Sequence, residues 1–192
     1  MYNIYMKTFY IVRHGQTDQN KFTLIQGRGN FPLNETGISQ AKEAAKLLSG
    51  INFDYAYSSP LDRAYDTARI ILDENNINIE VTRIDDLIER DFGEAEGKLV
   101  NGEIFTRVVE GRCKNAETNE CLERRVHEAF LNLLNRDDGK NILIVAHAHT
   151  IKALLISLDY PNYNYYSPLS NTSVSIISAD GNKIKICEVN KK

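Results

Sequence analysis

Two short apolar runs in this chain, Phe9-Tyr10-Ile11-Val12 and Ile142-Leu143-Ile144-Val145-Ala146, both stop at charged or ring-nitrogen chemistry. Runs this short, rich in aromatic and β-branched residues, read as buried strands. The first continues into Arg13-His14-Gly15 and the second into His147-Ala148-His149-Thr150. In open α/β sheets ligands bind just beyond the carboxyl ends of strands. An arginine there offers a planar fork suited to phosphate oxygens. A histidine beside it can be a nucleophile or an acid-base group. Gly15 permits a sharp exit and a close approach of backbone to ligand. The bland alternative is a strand end with an incidental histidine and a surface arginine.

Between the two runs, strands alternate with helices. Asn34 is a plausible N-cap for a helix carrying Ala41, Ala44, Ala45, Leu47 and Leu48 at helical spacing. Tyr55-Ala56-Tyr57 reads as a strand. Ser58-Ser59-Pro60 after it signals a helix start, which puts Arg63 in the first turn of a helix reaching Leu72. A helix N-terminus adds backbone donors and a favourable dipole for an anion. Glu80 to Arg83 is a candidate strand. The helix from Cys121 to Leu134 places Leu122, Val126, Ala129, Phe130, Leu133 and Leu134 on one face. Residues 151–158 form another apolar helix. Ser173 to Ile177 and Lys183 to Val189 look like closing strands around a turn at Asp180-Gly181-Asn182. The expected fold is α/β, a three-layer α/β/α sandwich with a mostly parallel central sheet, as one domain over residues 1–192.

Composition narrows the partners. A net charge of -3 gives no reason to expect nucleic acid or an acidic membrane as a partner. No run approaches the length of a membrane span. Met1 to Lys7 has neither the basic region nor the apolar core of a signal peptide, and Met1 to Tyr5 reads as a short, loosely held extension. Cys113, Cys121 and Cys187 are too few and too scattered for a disulfide framework or a zinc finger. They are expected to stay reduced in the cytoplasm. The chain is expected to be a monomer or homodimer.

Further pieces line up with the two histidines. They are Gln16-Thr17, Pro32-Leu33-Asn34-Glu35-Thr36-Gly37 with Gln40-Ala41, and Ser58-Ser59-Pro60-Leu61-Asp62-Arg63-Ala64 with Thr67-Ala68. Glu89 through Gly97, Glu117-Thr118 with Arg125-Val126, and Asn171-Thr172-Ser173-Val174 follow. In this order they resemble the histidine phosphatase superfamily, also called phosphoglycerate mutase-like, from Phe9 to about Val174. The resemblance implies a metal-independent, acid-type phosphatase without a cofactor, acting through phosphohistidine on a small phosphorylated metabolite. His14 would take the phosphoryl group. Arg13, Arg63 and His147 would hold its charge. Glu89 would donate a proton to the leaving oxygen and then activate water. Asn20, Thr17, Gln26, Gly27 and Ala148 would line the phosphate and substrate site. Two positions depart from the family pattern: Ala148 stands where the family usually has Gly, and Ala95 where it often has an aromatic.

The same resemblance allows a cofactor-dependent phosphoglycerate mutase, although the span from Glu89 to His147 is short beside the mutases. A third reading is a zinc hydrolase: on an extended chain His147 and His149 would face the same way and bind the metal together. In the family, the segment corresponding to residues 98–120 covers the substrate. Here Arg107, Arg112 and Lys114 could meet a second anionic group, or could simply belong to a solvated stretch with Glu103, Glu110 and Glu117. Tyr160, Tyr163, Tyr165 and Tyr166 read as packing of a loop over the core, with substrate stacking or a dimer contact as the alternative. His127, on the apolar helix, reads as structural.

Overall fold

The structure is a computed structural model that describes residues 6–136, 139–181 and 183–192. The extension Met1 to Tyr5 and Asn182 of the expected closing turn lie outside the described residues. The strands are β1 (Lys7–Arg13), β2 (Tyr55–Ser58), β3 (Val81–Arg83), β4 (Asn141–Ala146), β5 (Val174–Asp180) and β6 (Lys183–Lys191). The α-helices are α1 (Asp18–Lys21), α2 (Glu35–Leu47), α3 (Asp62–Glu74), α4 (Gly102–Val109), α5 (Asn119–Arg136) and α6 (Ala148–Ser157). The six strands form one sheet in the order β3-β2-β4-β1-β5-β6. β1, β2, β3 and β4 pair in parallel, while β5 and β6 add an antiparallel edge.

Strand alternation divides the core into two layers. Phe9, Ile11, Ile142, Ile144 and Ala146 pack with apolar residues of α5 and α6, Phe130, Leu133, Ile151 and Leu154 among them. Val12, Leu143 and Val145 turn the other way, onto Ala44, Ala64, Ala68 and Ile71 of α2 and α3. Each run is apolar at every position because both of its faces are covered. Their alignment does the rest. β1 lies beside β4 in parallel with Val12 opposite Val145 and Arg13 opposite Ala146. The two strands therefore end together, and their histidines emerge side by side.

Three local expectations are corrected. The helix expected at 151–158 begins three residues earlier, at Ala148. Ser58 and Ser59 do not cap α3, whose N-cap is Leu61 with no side-chain cap bond. Gly15 is close-packed, but against protein: a β-carbon there would lie 2.4 Å from the carbonyl oxygen of Gly37 in α2. Asn34 does cap α2, accepting from the Gly37 amide at 2.9 Å. Among the described residues no helix is long and apolar enough to cross a membrane.

Candidate active site

His14 continues β1 by one residue, its amide bonding to the Ala146 carbonyl at 3.0 Å. Its ring lies edge-on to His147, with centroids 5.1 Å apart. His14 Nδ1 is 2.6 Å from the Gly15 carbonyl. A carbonyl can only accept, so Nδ1 carries the hydrogen and Nε2 keeps its lone pair. Burial, then the charges of Arg63 and Arg13, hold His14 well below the usual imidazole value of 6.5. The Asn171 side-chain amide holds the His14 carbonyl at 2.9 Å, and Thr67 Oγ1 accepts from the Gly15 amide at 3.0 Å. The ring is thus a fixed, uncharged base.

Cations surround it. Arg63, from the first turn of α3, donates to the carbonyls of Gly29 (2.7 Å) and Gly27 (2.9 Å). Arg13 donates to the Leu169 carbonyl at 2.5 Å. In both, the buried Nε has no partner among the described residues. Burial lowers both arginines, Arg63 to about 10; a guanidinium keeps its proton in proteins, so both are cationic at neutral pH. His147 Nε2 meets Ser59 Oγ at 2.6 Å, while its buried Nδ1 has no partner among the described residues. If the Ser59 hydroxyl donates to Nε2, Nδ1 is left as an N–H donor for an anion. His147 also lies well below the usual imidazole value, first through burial and next through Arg63.

The neutral groups divide into lining and support. Asn20, Gln26, Gly27 and Ala148 line the same cavity as Arg13, His14 and Arg63. Thr17 does not. It is fully buried and forms a capping box with Asn20, and its Oγ1 donates to Gln26 Oε1 at 2.9 Å. Gly27 has φ +52°, where a side chain is strained, and a β-carbon there would force the Glu96 carboxylate to move. Ala148 has no positive φ, which removes the need for glycine at that position.

Glu89 arrives from the loop after β3. Its Oε1 accepts from the amides of Arg90 (2.9 Å) and Thr150 (3.1 Å) and from Thr150 Oγ1 (3.2 Å); Oε2 accepts from the His149 amide at 3.3 Å. Two of these donors are free backbone N–H groups at the start of α6. All four leave the carboxyl group as an acceptor, the role it needs to take a proton from water. Arg90, fully buried, donates to the carbonyls of Val108 (3.0 Å) and Glu117 (2.9 Å) and so fastens the segment between them beside Glu89.

The cavity has a volume of about 230 Å³. That suits a small ligand rather than a folded partner. Ile25, Phe92, Phe105, Val108 and Leu169 supply its apolar wall. Ala95 is buried beneath this wall and does not line it, so the pocket is closed by other residues. Segment 98–120 contributes Val100, Phe105 and Val108 to the lining, but not Arg107, Arg112 or Lys114. Arg107 pairs with Glu94 and Arg112 with Glu110, as expected of a solvated mixed-charge stretch. Tyr160 and Tyr163 pack against the core, and Tyr165 lies within it; Tyr166 is half exposed, edge-on to Phe105. His127 bonds Ser157 Oγ at 3.1 Å and ties α5 to α6.

The premise for a zinc pair does not hold. Because α6 starts at Ala148, the chain is not extended through His149. His149 stacks on Tyr165 at 5.2 Å and meets Phe92 edge-on at 4.9 Å, whereas His147 lies against His14 and Ser59. Ser59, Thr67, Arg90 and Thr150 belong to the site's surroundings, although the sequence shows them only as parts of motifs with no role assigned, and Lys152 does not stand out there at all. Its only sequence signal is a charge inside a helix that otherwise reads as apolar.

The histidine environments have a direct consequence. A lowered value means that the proton binds only at more acidic pH. The ring signals of His14 and His147 are therefore expected to titrate by NMR with midpoints well below 6.5. A titration midpoint near 6.5 for either would contradict the neutral, buried pair.

A sequence model of the histidine phosphatase superfamily (branch 1) matches residues 9–192. The chain is 36% identical over 153 residues to the uncharacterized phosphatase PhoE of Bacillus subtilis, covering 80% of this chain and 78% of that one. It is 35% identical over 167 residues to a 2,3-bisphosphoglycerate-dependent phosphoglycerate mutase of Rhizobium etli, covering 78% of each. Among solved structures, a phosphoserine phosphatase mutant from Entamoeba histolytica in complex with phosphoserine superposes with a TM-score of 0.82 at 27% identity, covering 96% of both chains.

Proposed function

The chain belongs to the histidine phosphatase superfamily, and from that premise we propose that its cavity hydrolyses a small phosphomonoester in two steps at His14. One observation carries this reading: an uncharged histidine with a free Nε2 shares a cavity with two arginines whose Nε atoms are buried. A phosphomonoester brings about two negative charges. A neutral nitrogen can approach it where an anionic nucleophile would be repelled. His14 Nε2 forms the N–P bond as the ester P–O bond breaks, and the leaving oxygen takes a proton from Glu89. Glu89, now a carboxylate, takes a proton from water. The resulting oxygen bonds to phosphorus, the N–P bond breaks, and inorganic phosphate leaves. Arg13, Arg63 and His147 hold the equatorial oxygens through both steps, with Asn20 and Gln26 as neutral neighbours. Free cysteines at 113, 121 and 187 support a reducing, cytoplasmic setting.

The test is phosphate release from a panel of phosphorylated metabolites. Free phosphate is the expected product; an isomeric phosphate ester without release would assign mutase chemistry instead. The cations that meet the phosphoryl group here are side chains, which do the work a divalent ion does elsewhere. Activity is therefore expected to survive EDTA and to be inhibited by vanadate. If chelation abolishes activity and zinc restores it, the metal-free mechanism is wrong.

A further inference from the structure

Lys152 is the cation that the phosphoryl-transfer scheme does not use. It sits in α6 among Ile151, Ala153, Leu154 and Leu155, and is only 7% exposed. It lies four residues after Ala148, so the two share one face of the helix, and both line the cavity. Its ammonium donates to the Tyr165 carbonyl at 2.8 Å, and among the described residues no carboxylate forms an ion pair with it. A buried ammonium without a counter-charge costs stability. Arg13 and Arg63 already match the charge of a transferring phosphoryl group. Glu89 lines the cavity too and faces Lys152, but as proton donor it enters the first step uncharged, so the third cation then calls for a further negative charge on the ligand.

We propose that Lys152 is a specificity-determining residue, pairing with a carboxylate borne by the phosphomonoester substrate a few bonds from its ester oxygen. The proposal rests on the phosphatase reading above. Two ammonium hydrogens remain after the bond to Tyr165, and they match the two oxygens of a carboxylate. A second phosphate would bring twice the charge to a single cation. His149 lines the same cavity, and its buried Nδ1 has no partner among the described residues. The groups facing Lys152 are Arg13 from β1, Glu89 from the loop after β3, His149 from α6 and the Tyr165 carbonyl. Burial and then Arg13 lower Lys152 to about 8, so its charge is lost as the pH rises through that value.

The probes are 3-phosphooxypropanoate and propyl phosphate, alike except for the carboxylate. Wild-type protein is expected to favour the acid by roughly 10- to 100-fold in kcat/KM, the range of a charged hydrogen bond. Lys152→Met should bring the ratio close to one, mainly through KM, and Lys152→Arg should restore most of it. In wild type the ratio should fall between pH 7 and 9; protein groups that act on both esters cancel in it. A wild-type ratio near one, or an unchanged ratio in Lys152→Met, overturns the proposal. If Lys152→Met does not fold, a flat wild-type ratio across that pH range overturns it equally. If wild type cleaves neither ester, the phosphatase reading is in trouble. Calorimetric binding of the two esters to His14→Ala then decides Lys152 separately: equal affinities reject it, and preference for the acid upholds it.

Discussion

His14→Ala is expected to lose all measurable turnover, a fall of roughly 10⁴- to 10⁶-fold in kcat, while the protein stays folded. The first half follows from chemistry. Without Nε2 no phosphoenzyme forms, and the remaining cations can only bind the ester. The second half follows from what the ring touches. Among the described residues its side chain hydrogen-bonds to the neighbouring Gly15 carbonyl, and its ring contact is with His147. The backbone of residue 14 is held independently, through the Ala146 carbonyl and the Asn171 side chain. Rapid acid quenching of wild type with labelled substrate should trap the label on His14, and far-ultraviolet circular dichroism should superpose the two proteins. Label on another residue, or activity in the variant within a hundredfold of wild type, would overturn the assignment.

The sheet was legible because its inner strands are covered on both faces, and double burial leaves an uninterrupted apolar run such as Ile142 to Ala146. Parallel alignment of two such runs then explains why His14 and His147 meet. Less legible were contacts made across long stretches of chain by residue types common anywhere. Ser59 read as a helix cap but serves His147, 88 residues away. The start of α6 was misplaced because Ala148-His149-Thr150 carries no local start signal. Its free amides are satisfied instead by Glu89, about 60 residues earlier. Those two tertiary bonds belong to a helix that starts at Ala148, which takes His149 off the extended chain of His147 and leaves Lys152 lining the cavity. Gly15 was recognised as a close-approach position, but only the packing of α2 reveals that the approaching group is Gly37.

Glu89→Gln and Arg63→Ala are expected to fail in distinguishable ways. A proton donor matters most when the departing oxygen is a strong base. Glu89→Gln should therefore lose roughly 10²- to 10⁴-fold in kcat/KM on an alkyl phosphate, and far less on p-nitrophenyl phosphate, whose leaving group needs little protonation. Arg63 acts on the phosphoryl group that every substrate shares. Arg63→Ala should lose roughly 10²- to 10³-fold on both esters. Each substitution also disturbs structure. The amide of Gln offers one acceptor oxygen where the carboxylate takes four donors, and removing Arg63 strips donors from the Gly27 and Gly29 carbonyls. Such damage lowers activity toward both esters alike, so it cancels in the ratio between them. The ratio of alkyl to aryl kcat/KM is thus the informative quantity: it should collapse in Glu89→Gln and hold in Arg63→Ala. Equal losses on the two substrates for Glu89→Gln would show that the proton comes from elsewhere, and the four donors around Glu89 would then serve only to fix the start of α6.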